Sequence, residues 1–421
     1  MTNQQINDSG RRDSESKPED HRCAPASVLD RAVTLVFMAF IWLPLLTMVV
    51  FPTSESSAEN RELAKFPGTH GTEISRTQLE EYVKDHLGFR TTFVNAHNQV
   101  KLVAFKAVNE KVIAGKDDWL FINNGRVVSA YTGDLKCTPQ VVASWRQTLK
   151  QRAEYLEQRD IPYGFIAVPD KQFIHPEHLP DSIRRGTECY TDRLLQGISD
   201  DVNVISLFDA LHSAKDQGDL FYKRDTHWNG RGTAVGFKAI ISRLSQFVPG
   251  FENEVPCELE IVVREDFPRK NDLGKLIGCG PLPQPTIYAA PVQQNAKRTD
   301  PPSKYVALEE YYKKETRAIE VYANDSERVR GRRLVMFHTS FSHGTLNRLL
   351  AEHFERAVFV RHSPKHFLAF HKLLIDEEQP TLVLNEIPTR YLTRNPATAY
   401  RTEEWSNPSI QIASEGESQR R

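Results

Sequence analysis

The distribution of apolar and polar positions divides the chain into three regimes. The first 30 residues are rich in Asp, Ser, Arg and Gln and show no periodic apolar pattern, so they read as a disordered tail. From Val33 to Phe51 no charge interrupts an apolar run of 19 residues. As a helix that run spans about 28 Å, the thickness of a bilayer hydrocarbon core, and membrane helices tolerate the kink expected at Pro44. A buried core helix is one alternative, and a signal peptide cleaved after Ala58, with Ser56 at the −3 position, is another. The length of the run and the polar residues ahead of it favour an uncleaved signal anchor. Lys17, Arg22 and Arg31 before it, backed by Arg11 and Arg12, outnumber Arg61 and Lys65 after it, a small bias that points to a cytoplasmic tail with the rest of the chain on the non-cytoplasmic side of the membrane.

Beyond the anchor the periodicity changes. From Glu62 to Lys111 apolar residues recur at three- and four-residue steps and predict a helical layer beside the anchor. Lys116–Asn123 reads as a short aromatic strand. Thr138 and Pro139 suit the N-cap and first position of a helix whose apolar stripe is Val142, Trp145, Leu149, Ala153 and Leu156. Short apolar runs then follow at Tyr163–Val168, Val202–Leu207, Leu334–Phe337, Ala357–Val360 and Thr381–Leu384, with helical segments between them, notably Gly230–Phe247 and Thr345–Glu355. That alternation predicts an α/β fold with a parallel sheet between helices and chemistry at the carboxyl ends of its strands. Six prolines between Gly280 and Lys304 predict a long irregular connection. The expected division is a tail over 1–30, a transmembrane anchor over 31–52, a helical layer over 53–112, a catalytic domain over 113–395 with an irregular insertion at about 280–304, and a C-terminal tail over 396–421.

Composition removes two function classes. Lys and Arg number 54 against 55 Asp and Glu, a net charge of −1, which argues against a nucleic-acid-binding protein. Only 39% of residues are hydrophobic, too few for a polytopic membrane protein. Of five cysteines, Cys23 lies in the tail, and none shows the CxxC spacing of a zinc ribbon. The other four allow two disulfides, paired by proximity as Cys137–Cys189 and Cys257–Cys279.

Two segments carry candidate chemistry. Phe221–Gly230 reads FYKRDTHWNG, with Asp225 and His227 two residues apart. In extended chain they point to one side, so the carboxylate can hold one imidazole nitrogen as N–H and leave the other as a base. A turn capping the next helix, or two ligands of a metal site, are the alternatives. Ser340 and Ser342 follow an apolar strand and precede a helix, a place where a serine hydroxyl stands at the sheet's carboxyl edge and its own N–H can donate to an oxyanion. Plain strand termination and helix capping explain the same residues. His362, His366 and His371 have metal-like spacing, but no carboxylate or cysteine completes a set.

The runs Glu59–Pro67 (ENRELAKFP), Asp85–Arg90 (DHLGFR), Lys116–Phe121 (KDDWLF), Asp225–Trp228 (DTHW) and Thr339–Ser342 (TSFS) together resemble the alginate O-acetyltransferase family of the SGNH-hydrolase-like superfamily, the AlgX/AlgJ type. Pro169–Lys171 and Asp272–Gly274 resemble further stretches of it, and the similarity covers roughly residues 58–392. The resemblance implies a three-layer SGNH-hydrolase-like fold, preceded here by the one transmembrane helix. It also implies a triad of Asp225, His227 and Ser340, permuted along the chain from the usual Ser-first order. Neither metal nor cofactor is implied. The activity it suggests is transfer of acetyl groups to an exopolysaccharide, with the donor delivered by a membrane O-acyltransferase. An acetylesterase and a non-catalytic polysaccharide-binding or secretion scaffold are the competing functions. Substrate-binding candidates are Lys171 for an anionic sugar, Tyr222 and Trp228 as stacking rings, Thr339 beside the nucleophile, and Arg390. Glu386 and Arg390 match an acidic–basic pair of the family, for which a structural ion pair is the alternative. His338 stands where the family usually has Gly, and His343 is an addition after the nucleophile. The few residues after Leu384 leave no room for the separate carbohydrate-binding module of some relatives.

Overall fold

Unbroken apolar runs bury both faces of a strand, and six consecutive buried residues, Tyr163–Val168, form β3 at the heart of the molecule. The computed structural model describes residues 27–50, 64–66, 75–90, 92–93, 96–97, 100, 111–123, 126–269, 271–277, 284–301, 305, 316–362 and 367–396. The chain divides into two compact units, residues 1–56 with 61–90, and residues 57–60 with 91–421.

In the first unit a helix spans Val28–Val50, and its Val28–Met48 portion is long and apolar enough to cross a membrane. Its start is fixed by a reciprocal cap: Asp30 N–H donates to Ser27 Oγ at 3.1 Å, and Ser27 N–H donates to Asp30 Oδ2 at 2.9 Å. The helical layer expected after it is represented by Arg76–His86. Just beyond that helix, Gly88 N–H donates to Pro44 O at 3.1 Å, and an added Cβ at Gly88 would lie 1.7 Å from Thr47 Oγ1. Most of the ENRELAKFP run and both chain ends lie outside the described residues.

The second unit is built on a seven-stranded sheet in the order β4 (Asn203–Ser206), β3, β11 (Leu382–Pro388), β9 (Arg333–His338), β10 (Arg356–His362), β8 (Thr316–Ala323) and β7 (Lys297–Thr299). The first five are parallel, whereas β8 and β7 join antiparallel. The sheet is therefore mostly, not wholly, parallel. Glu320 interrupts the apolar run of β8, which hid that strand in the sequence.

Alternation along β3 sorts the core: Ile166 and Val168 face one apolar cluster, Tyr163 and Phe165 the other. The first cluster takes Phe237, Ile240, Ile241 and Leu244 from helix Gly230–Leu244. The second takes Trp145, Leu149 and Leu156 from helix Pro139–Glu157, whose cap is Thr138, as expected. Helices thus cover both faces, the three-layer arrangement of an SGNH-like α/β fold.

Three expectations change. In Lys116–Asn123 only Leu120–Ile122 (β2) is strand; Asp117 and Asp118, at φ 51° and 64°, make the turn of a hairpin with Val112–Ala114 (β1). The Pro-rich connection is partly ordered ribbon, since Gln284–Pro291 (β6) pairs antiparallel with Leu259–Arg269 (β5). Pro285 falls at the register shift of that ribbon and Pro291 at its end, where a missing donor costs little. Finally, Cys137 and Cys189 carry free thiols in different core clusters, so the bridge between them is not formed. Cys257 is also a free thiol, and Cys279 lies outside the described residues.

Candidate active site

Three parallel strands end side by side and deliver the polar residues of the site. β3 leads to Asp170 and Lys171, β9 to Thr339 and Ser340, and β11 to Thr389 and Arg390. The Asp225–His227 loop, closed at its base by a Phe221–Trp228 bridge and followed by helix Gly230–Leu244, brings His227 to Ser340. Asn229 caps that helix, its Oδ1 accepting from Arg231 N–H at 2.9 Å and Gly232 N–H at 3.2 Å.

Asp225, His227 and Ser340 meet. Asp225 Oδ1 accepts the His227 backbone N–H at 2.9 Å and lies 2.6 Å from His227 Nδ1. His227 Nε2 is 2.7 Å from Ser340 Oγ. A carboxylate can only accept, so Nδ1 carries the proton and the Nε2 lone pair accepts the serine O–H. The buried Asp225 has a further partner, Arg269 at the end of β5, whose Nε donates to Oδ2 at 3.0 Å. Burial pushes the Asp225 carboxyl up, but the hydrogen bond and charge of His227 and then those of Arg269 outweigh it and hold the group well below its ordinary range. Asp272 sits 3.6 Å from His227 Nδ1 and accepts Thr226 N–H at 2.8 Å and the Thr226 hydroxyl.

The remaining expected contacts are supports. Lys171 does not open to an anionic sugar: its buried Nζ donates to the carbonyls of Tyr222, Lys223 and Asp225, each at 2.9 Å. Burial lowers it to about 7, against the charges of Asp225 and Asp272. Tyr222 is spent on the ribbon, its hydroxyl donating to Ile287 O at 2.7 Å and accepting Ile287 N–H at 2.8 Å. Trp228 is core, its Nε1 donating to Phe341 O at 2.8 Å. Thr339 is buried, with N–H and hydroxyl donating to Glu386 at 2.9 Å each. Glu386, raised by burial against these bonds, also accepts from Ser342 Oγ at 2.9 Å. It is not paired with Arg390. That guanidinium lies 5.0 Å over the Phe341 ring, with Nε 3.0 Å from Asp170 Oδ1.

Two groups bring three metal-type ligand atoms together among the described residues. In Asp225–His227–Asp272 the Nδ1 position holds a proton and Arg269 already supplies the cation. In His175–Glu177–His178, His175 Nε2 accepts Leu220 N–H at 3.3 Å, so its Nδ1 is the protonated nitrogen facing Glu177. Lys215 Nζ, 3.3 Å from Glu177, again takes the place of a metal charge. Both sets are hydrogen-bond networks by their donor chemistry. His362 and His371 are buried, and His366 lies outside the described residues.

Sequence reasoning missed Arg269, Asp272 in this role, and the wrapping of Thr339–Ser342 by Glu386. Only the Asp-Leu-Gly run offered a signal for one of them.

Residues 112–311 match the family model described as SGNH hydrolase-like domain, acetyltransferase AlgX. The chain is 26% identical over 202 residues to the "Probable alginate O-acetylase AlgJ" of Pseudomonas syringae pv. tomato, covering 47% of this chain and 49% of that protein. It is 26% identical over 180 residues to the like-named protein of Pseudomonas aeruginosa, covering 41% and 42%. The chain thus spans about half the length of the curated relatives it matches. Among solved structures, the O-acetyltransferase domain of Pseudomonas putida AlgJ aligns with a TM-score of 0.47 at 18% identity, over 70% of this chain and 97% of that one. Bacillus cereus PatB1 aligns with a TM-score of 0.49 at 17% identity, over 68% and 99%.

Proposed function

We propose, on the premise that residues 112–311 belong to the AlgX/AlgJ family of SGNH hydrolase-like acetyltransferases, that this chain transfers acetyl groups to hydroxyls of an alginate-like exopolysaccharide through an acetyl-serine on Ser340. The observation that carries the reading is the continuous relay from Asp225 Oδ1 through His227 to Ser340 Oγ, at 2.6 and 2.7 Å. His227 Nε2 takes the Ser340 proton as Oγ bonds to the acetyl carbonyl carbon, and Asp225 stabilises the imidazolium that forms. The donor's leaving oxygen departs with that proton. A sugar hydroxyl then passes its proton to Nε2 and attacks the acetyl carbon. The Oγ–acyl bond breaks, and Oγ recovers the proton.

Anchorage by the N-terminal apolar helix in the bacterial inner membrane, with the second unit in the periplasm, suits a donor supplied by a membrane O-acyltransferase and an acceptor that is a growing polymer. The test uses the full chain purified in detergent, a chromogenic acetyl ester, and oligosaccharide added or omitted. Acetylated oligosaccharide should appear, and Ser340→Ala should lower turnover by at least about 10³-fold. Ester hydrolysis indifferent to the oligosaccharide would convert the reading to an esterase. Polymer acetylation in cells that survives Ser340→Ala would leave a scaffold.

A further inference from the structure

Where each polar group of the nucleophile turn goes can be written out almost completely. Thr339 N–H and hydroxyl donate to Glu386, and Phe341 N–H donates to Thr339 Oγ1 at 3.3 Å. Phe341 O accepts Trp228 Nε1–H, Ser342 Oγ donates to Glu386, and Ser342 O accepts Asn347 N–H at 3.1 Å. Ser340 Oγ faces His227. The Ser340 N–H donates to no acceptor among the described residues.

The carbonyl on the other side of that peptide is held. His338, fully buried at the end of β9, donates from Nδ1 to Thr339 O at 2.7 Å. A carbonyl only accepts, so Nδ1 bears the proton, and in a neutral ring Nε2 must then accept. Asn347 Nδ2 meets that need at 3.2 Å and also donates to Glu320 Oε2 at 3.0 Å. Glu320, buried on the antiparallel strand β8, is balanced by Arg298 of β7 at 3.3 Å. The tautomer is thus set from the far edge of the sheet. Because a trans peptide is planar, a carbonyl turned inward to His338 turns the Ser340 N–H outward, beside Oγ.

We infer that His338 is a positioning residue, which aims the Ser340 N–H at the oxygen of the reacting carbonyl by holding the Thr339 carbonyl, with Asn347 and Glu320 fixing its tautomer. The inference rests on the acyl-serine reading above and adds to it the group that orients the oxyanion donor. A donor aimed at the developing oxyanion acts in the transition state, not in ground-state binding, so its loss appears in kcat and leaves KM alone.

Asn and Gln separate this role from packing. In His338→Asn the side-chain amide nitrogen occupies the place of Nδ1 and can still donate to Thr339 O. In His338→Gln it reaches instead toward the place of Nε2. With the chromogenic acetyl ester, His338→Gln should lose about 10²-fold in kcat with KM within about twofold, and His338→Asn should recover at least tenfold of that. Inhibition by a simple arylboronic acid, whose tetrahedral Ser340 adduct puts an oxygen where the oxyanion forms, should weaken in the same order. Both variants carry a polar side chain of similar bulk, so a shared folding defect would lower both alike. Equal kcat for Asn and Gln, at whatever level, overturns the inference while an active wild-type chain leaves the acyl-serine reading standing. A wild-type chain that turns over no acetyl ester and transfers no acetyl overturns both.

Discussion

Asp225 is the residue on which the site turns, and its partners show what a sequence can and cannot convey. The Asp225–His227 pair is local, two residues apart, but the chain bends there instead of running extended, and the carboxylate that accepts the His227 N–H also meets its ring. Ser340 was legible because a strand, a serine and a helix stand in succession. Arg269 lies 44 residues from Asp225, and only the register of β5 against β6 brings its Nε to 3.0 Å. Lys171 misled for the opposite reason: lysines are mostly solvated, and nothing in its neighbours in sequence announces that three loop carbonyls surround its ammonium. The contribution of Arg269 is testable. Arg269→Met keeps much of the aliphatic stem but removes the guanidinium that stacks over Tyr222 at 4.6 Å, and with it the donor and the charge. Burial, the largest influence on the Asp225 carboxyl, then has less to oppose it, so the group rises toward its ordinary range. The acid limb of kcat/KM should move to higher pH, and kcat near neutrality should fall on the order of tenfold. A pH–rate profile that superimposes on the wild type would remove Arg269 from the mechanism.

At the scale of elements, buried parallel strands were readable and the ribbon was not. Apolar runs mark strands covered on both faces, and β3, β9, β10 and β11 lie where such runs occur, while β4, at the sheet edge, buries only Ile205. The ribbon is only half covered: Ile261, Val263 and Phe267 are exposed on β5, and prolines interrupt its partner. Its position is instead decided by contact with helix Gly230–Leu244. Gly230, the first residue of that helix, packs so closely on β6 that a Cβ there would lie 2.4 Å from the Cα and carbonyl carbon of Tyr288. Backbone cannot yield as a flexible side chain does. Gly230→Ala should therefore cost about 1–3 kcal/mol, read as a lowered urea midpoint, and should displace the strand that carries the Tyr222 hydroxyl contacts. An unchanged midpoint would mean that the ribbon floats free of the helix.

Near-neutral composition describes the whole molecule poorly, because it counts titratable groups at their ordinary values and several are buried at others. Burial holds His338 and His371 at about 3 and His362 well below its ordinary value. Unfolding returns each ring to water and to its ordinary value of about 6.5. With the folded value below the unfolded one, the unfolded chain binds more protons between about pH 3 and 6.5, so stability rises with pH across that window and is lost on acidification. His338 and His371 each contribute about 1.4 kcal/mol per pH unit there, and His362 acts in the same direction. Glu386 acts in the opposite sense, since burial raises its value. His175, His343 and His353 are lowered by burial as well, so the histidines together set the sign: stability falls on acidification. Urea midpoints of the full chain in detergent should fall from pH 6.5 to 5, and His338→Asn, which removes one of these buried rings, should flatten the fall. Midpoints constant over that range would mean that these rings already exchange protons with solvent in the folded chain, and the closed core behind the nucleophile would have to be abandoned.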